Sequence, residues 1–95
     1  MIIVSQDKTK IVNFDNLTQI YITQDEEETE IFIRCETVGC LYDDLGVYKT
    51  GERAKEVLEE IIRMYKVSKG MSFTIGDAKK LSGKYENEVY YMPEE

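Results

Sequence analysis

Between Thr50 and Gly70 the chain carries a single helical period. Val57, Leu58, Ile61, Ile62 and Tyr65 follow Ala54 at offsets of 3, 4, 7, 8 and 11 residues, which lines them up as one apolar stripe. Arg53, Lys55, Glu56, Glu59, Glu60 and Arg63 fill the opposite side, with Glu59 and Arg63 placed as an i,i+4 pair. Thr50 supplies a hydroxyl N-cap and Glu52 a negative charge in the first turn. Lys66 and Lys69 complement the carboxyl end of the dipole, and Gly70 can take the left-handed cap. The spacing predicts a helix from about Glu52 to Tyr65. Such a helix cannot bury its stripe alone, so the rest of the chain must provide the covering surface.

That remainder reads as strands. Ile2-Ile3-Val4 is β-branched and is followed by the polar Gln6-Asp7-Lys8-Thr9-Lys10, then by Ile11-Val12-Asn13-Phe14, which together predict a first hairpin. Asp15-Asn16 is a turn pair, after which Leu17 to Gln24 alternates. Thr18, Ile20 and Ile22 share one face, and Leu17, Gln19, Tyr21 and Thr23 share the other. Asp25-Glu26-Glu27-Glu28 suits an exposed hairpin tip. From Thr29 to Thr37 alternation resumes with Ile31, Ile33 and Cys35 against Glu30, Phe32, Arg34 and Glu36. Val38-Gly39-Cys40 breaks the period. A short strand at Leu41-Tyr42, a turn at Asp43-Asp44 and a further strand at Leu45-Gly46-Val47-Tyr48 complete the run before the helix. Beyond Gly70, Met71 to Ile75 alternates like a strand, Gly76 to Lys84 reads as a turn or short helical piece, and Glu88 to Met92 reads as a closing strand before Pro93.

The expectation is one α+β domain over residues 1–95: an antiparallel meander of about four to six strands, covered on one face by the amphipathic helix. A chain of this length buries about two thirds of its unfolded surface and needs no disulfide or metal to fold.

The absence of histidine removes the commonest general base, the His-containing triads and every zinc site that needs imidazole. Cys35 and Cys40 alone cannot complete a four-ligand zinc site, and their spacing is not that of a Cys-x-x-Cys redox pair. They read as structural thiols, although a hairpin at Gly39 would permit a disulfide. The acidic runs Asp25–Glu28 and Asp43-Asp44 lack the ligand alternation of a calcium loop and read as surface. No Gly-rich strand-to-helix turn is present to cradle phosphates. These features point to no catalytic residue, no metal and no cofactor, and hence to a protein that is not an enzyme and has no evident small-molecule substrate. A formal charge of −7 sets the mean field against nucleic acid and anionic membranes. The apolar run at the amino end stops after four residues, too short for a signal peptide or a membrane span, and predicts a cytoplasmic protein.

Seven tyrosines and three phenylalanines are many for one small core. Phe32 beside Arg34, on the less apolar face of the best strand, has the residue types of a single-strand stacking platform, but the surroundings are acidic. Core or half-buried packing accounts for such residues in the first place, and where they are displayed a protein-binding sheet face is the better use, because aromatics supply contact area cheaply. Phe32, Arg34 and Tyr21 are therefore the candidate interaction residues, and an exposed sheet edge or this face is the candidate surface for a homodimer or a protein partner.

Several segments together resemble a family of small uncharacterised proteins of low-GC Gram-positive bacteria and their phages. They are Ser5-Gln6-Asp7-Lys8, Val12-Asn13-Phe14-Asp15-Asn16 leading into Ile20-Tyr21-Ile22, the run from Tyr48 to Ile61, and Val89-Tyr90-Tyr91-Met92-Pro93-Glu94. The resemblance implies a shared fold and carries no site residues. Taken with the residue reading, it leads to the expectation of a non-catalytic accessory or interaction protein of a phage or mobile element. The alternative is an acidic, DNA-mimic-like inhibitor acting on a host nucleic-acid enzyme.

Overall fold

The alternation that defines the best strand is realised residue for residue. Ile31, Ile33 and Cys35 are buried, while Phe32, Arg34 and Glu36 between them stay partly exposed. This strand belongs to a computed structural model that describes residues 1–27, 29–39, 41–70, 83–86 and 88–95. In chain order the elements are β1 (Ile2–Val4), β2 (Ile11–Asn13), β3 (Leu17–Gln24), β4 (Ile31–Thr37), β5 (Tyr42–Tyr48), α1 (Gly51–Ser68), β6 (Lys84–Glu86) and β7 (Val89–Tyr91). A single 3-10 turn, Phe14–Asn16, leads from β2 into β3, with the Asn13 side chain accepting from the Asp15 amide at 3.1 Å.

The fold is α+β, with the strands divided between two sheets. The meander expected from the sequence is the three-stranded antiparallel sheet β3-β4-β5. The other strands form a four-stranded mixed sheet in the order β2-β1-β7-β6, in which β1 and β7 run parallel, Ile3 opposite Tyr90. Alternation marks a strand but not its neighbour, so this pairing of the first strand with the last has no local signature.

Asp43-Asp44, expected as a turn, lies inside the continuous strand β5. Two neighbouring cations neutralise the aspartates: Lys10 Nζ lies 3.3 Å from Asp43 and Arg34 Nε 2.6 Å from Asp44. A register shift between Ile33 and Arg34 lets Leu45 turn into the core while Asp44 remains opposite Arg34.

The helix starts and stops as its caps dictate. Thr50 Oγ1 accepts from the Arg53 amide at 3.1 Å, and Gly70 has φ +83° just beyond the last turn. Its buried face is rotated from the expected stripe. Ala54, Val57, Ile61 and Met64 are wholly buried, Leu58 is half-buried, and Ile62 is 47 % exposed. Glu60, which the spacing assigns to the solvent side, is only 3 % exposed. The second sheet covers that flank: the Tyr90 hydroxyl donates to Glu60 Oε1 at 2.7 Å and the Gly83 amide donates to the same oxygen at 2.6 Å. Ile3 and Tyr90 of the mixed sheet, Ile33 and Leu45 of the meander, and Ile61 of the helix therefore share one core. The strand read at Met71 to Ile75, most of the segment read from Gly76 to Lys84, and Cys40 lie outside the described residues.

Candidate functional site

Strand alternation places the expected interaction residues on the face of the meander that points away from the core. Tyr21 on β3 lies opposite Arg34 on β4, and Thr23 lies opposite Phe32. On the other side of β4, Val47 lies opposite Phe32, Asp44 opposite Arg34 and Tyr42 opposite Glu36. The structure thus brings Phe32, Arg34 and Tyr21 together, and adds Tyr42, Asp44 and Val47.

The polar groups of this face are bonded to one another. Arg34 forms a two-point contact with Asp44, Nε to Oδ1 at 2.6 Å and Nη2 to Oδ2 at 3.3 Å, and its guanidinium lies 4.3 Å from the ring centre of Tyr42. The Asp44 carboxylate holds Arg34 further above its ordinary range. Glu36 accepts from Gln19 Nε2 at 2.7 Å and from the Tyr21 hydroxyl at 2.9 Å, and these two donors lower its pKa. The Tyr21 phenol is pushed up, first by burial and then by the Glu36 carboxylate. The face is an aromatic surface whose polar side chains are held by one another's hydrogen bonds.

One side of the face is bounded by the β1–β2 hairpin. Asp7 organises that turn, accepting from Ser5 Oγ at 2.7 Å, Thr9 Oγ1 at 2.7 Å and the Thr9 amide at 3.0 Å, and these donors bring its pKa to about 2. Lys8 takes the left-handed conformation at φ 62°. The turn aims Gln6 at β5: its amide donates to Leu45 O at 2.7 Å, its side-chain oxygen accepts from the Val47 amide at 2.9 Å, and Nε2 donates to Val47 O at 2.9 Å. Between hairpin and strand lies a depression of about 240 Å³, with Gln6, Lys10, Phe32 and Val47 among its walls.

A larger cleft of about 810 Å³ opens between β5 and the start of α1, lined in part by Tyr48, Lys49, Arg53 and Glu94. Its polar groups are largely engaged within the chain. Arg53 donates to Glu95 O from Nε at 2.9 Å and from Nη2 at 2.6 Å, and the Tyr48 hydroxyl donates to Pro93 O at 2.9 Å.

No set of three His, Cys, Asp or Glu residues among the described residues is arranged to hold a metal ion. Cys35 is a buried free thiol whose pKa burial raises. Alternation found Phe32, Arg34 and Tyr21. It missed Asp44 and Tyr42, because the Asp43-Asp44 pair read as a break, and it missed Gln6, whose partners lie some forty residues further along the chain. No helix among the described residues is long and apolar enough to cross a membrane. No protein-family model matches the chain, and neither the curated proteins nor the solved structures contain a significantly similar one.

Proposed function

We propose that this chain is a non-catalytic accessory protein of a phage or mobile element, acting in the cytoplasm by binding another protein through the outer face of β3-β4-β5. The observation that carries this reading is the grouping of Phe32, Tyr21, Tyr42 and the stacked Arg34 on one partly exposed face. Aromatics and arginine dominate the energetics of protein interfaces. Here they are held by internal hydrogen bonds, which lowers the ordering cost of association.

The net charge of −7 and the exposed Glu26 and Glu27 at the β3–β4 tip favour a second reading, an acidic inhibitor that occupies the nucleic-acid site of a host enzyme. The face itself argues for the first reading, because Asp44 is bound to Arg34 and Glu36 to Tyr21 and Gln19 rather than displayed as a phosphate-like array.

The test compares affinity capture from the native host by the wild-type chain and by Phe32→Glu, with captured proteins identified by mass spectrometry and the fold checked by circular dichroism. A structural phage or mobile-element protein lost on Phe32→Glu supports the reading. A basic DNA-handling enzyme retained by the folded variant favours the inhibitor, and identical captures remove the face from consideration.

A further inference from the structure

A sheet exposes hydrogen-bonding groups along its edges, and proteins protect such edges with charge, proline, bulges, short length or a cover. Three of the four edges among the described residues are protected. β2 and β6 are three residues long, and the edge of β5 is occupied by Gln6, whose side-chain amide bonds both the N–H and the C=O of Val47 as a neighbouring strand would. β3 is different. It is eight residues long, its one register shift lies at the start between Leu17 and Gln19, and from Gln19 to Gln24 it pairs regularly with β4. In a chain one third of whose residues are charged, Leu17–Gln24 contains no charged residue and no proline.

The helix flank beside this edge points the same way. Leu58, Ile62 and Tyr65 recur at i, i+4 and i+7 on one side of α1. The Tyr65 ring lies 4.5 Å from that of Phe14 and its hydroxyl donates to Asp15 at 3.0 Å, so this flank stands over the entrance to β3. Ile62 on this flank is 47 % exposed, and Ile20 and Ile22 on the core side of β3 are only half-buried.

We propose that β3 is a self-association edge that pairs antiparallel with β3 of a second copy across a two-fold axis. A chain of net charge −7 repels its own copy, so self-association favours a surface whose paired span brings no like charges together, and between Thr18 and Gln24 β3 carries no charged side chain. The segment is also self-complementary about Tyr21: Ile20 meets the partner's Ile22 on the core side, and Gln19 meets the partner's Thr23 on the outer side. The two meanders join into one six-stranded sheet, and the half-buried isoleucines lose their remaining contact with water. This inference is independent of the partner-binding reading, which concerns the outer face rather than the edge.

Sedimentation equilibrium of the full chain, up to millimolar concentration, tests it with variants on the exposed side of β3. The wild type is expected to be a dimer. Gln19→Lys with Thr23→Lys sets like charges opposite each other at both ends of the pairing and is expected to give monomers with an unchanged circular dichroism spectrum. Gln19→Lys with Thr23→Glu sets opposite charges there and is expected to restore the dimer, while Phe32→Glu, away from the edge, leaves it intact. A monomeric wild type, a dimer indifferent to the paired lysines, or a dimer broken by Phe32→Glu and not by the β3 variants overturns the proposal.

Discussion

Replacing Ile61 by alanine tests the observed orientation of α1 directly. Ile61 is fully buried, Leu58 is partly buried and Ile62 is 47 % exposed, although all three belong to the same sequence stripe. Ile61→Ala removes three buried carbons, worth about 2.4 kcal/mol at ~0.8 kcal/mol each. A residual void of roughly 50 Å³, at about 24 cal/mol per Å³, adds about 1 kcal/mol, for a total of about 3–4 kcal/mol. A domain of this size is stable by roughly 5–14 kcal/mol, so the variant should remain folded and melt roughly 12–30 °C lower. Leu58→Ala should cost about 1–2 kcal/mol and Ile62→Ala about 1 kcal/mol, each in proportion to its partial burial. Urea unfolding at constant m-value gives all three numbers. Equal losses for Leu58→Ala and Ile61→Ala, or a larger loss for Ile62→Ala, would refute the rotation of the helix toward the mixed sheet.

Tyr90→Phe removes one of the donors to the buried Glu60 carboxylate and should cost about 1.5–3 kcal/mol, a value urea unfolding reads; an unchanged midpoint means the hydroxyl does not support that carboxylate. Asp7 titrates at about 2 in the folded chain against an ordinary 3.8, so its contribution to stability is present above pH 4 and is lost as pH falls from about 4 to 2. The difference in melting temperature between wild type and Asp7→Asn should therefore shrink over that window, and a constant difference contradicts the assignment. Burial raises the phenols of Tyr48 and Tyr90 well above 10, so the neutral forms favour the folded state and this stabilisation is lost as pH rises past 10. Their phenolate absorbance should appear together with alkaline unfolding, and ionisation of every tyrosine before circular dichroism changes would contradict their burial.

Local order was readable where a residue's role depends on near neighbours. Thr50 and Gly70 mark the ends of α1 through capping chemistry that spans a few residues, and Ile31, Ile33 and Cys35 mark the core side of β4 through the two-residue period. The same two-residue period puts Phe32, Arg34 and Tyr21 on the outer face. Features that depend on distant partners were not readable. Glu60 is buried because Tyr90 and Gly83 reach it from across the fold, and a glutamate among charged neighbours on a helix gives no sign of that. Asp43 and Asp44 enter a strand because Lys10 and Arg34 neutralise them, and a two-residue acidic signal outweighs such cations in a local reading.

The parallel pairing of β1 with β7 also bears on the order in which the chain assembles. The meander and α1 occupy a continuous stretch from Leu17 to Ser68 whose contacts close short loops, whereas Ile2, Ile3 and Val4 pair with Val89, Tyr90 and Tyr91, each 87 residues further along the chain. At synthesis rates of about 5–20 residues per second, β1 spends roughly 1–5 s after Ser68 is made without its parallel neighbour. During that interval the helix and meander can form, while the flank of α1 bearing Glu60 waits for Tyr90. Closure of the mixed sheet is then the late, topologically slow event, and a chaperone that holds extended apolar strands would find the segment around Ile3 uncovered for longest.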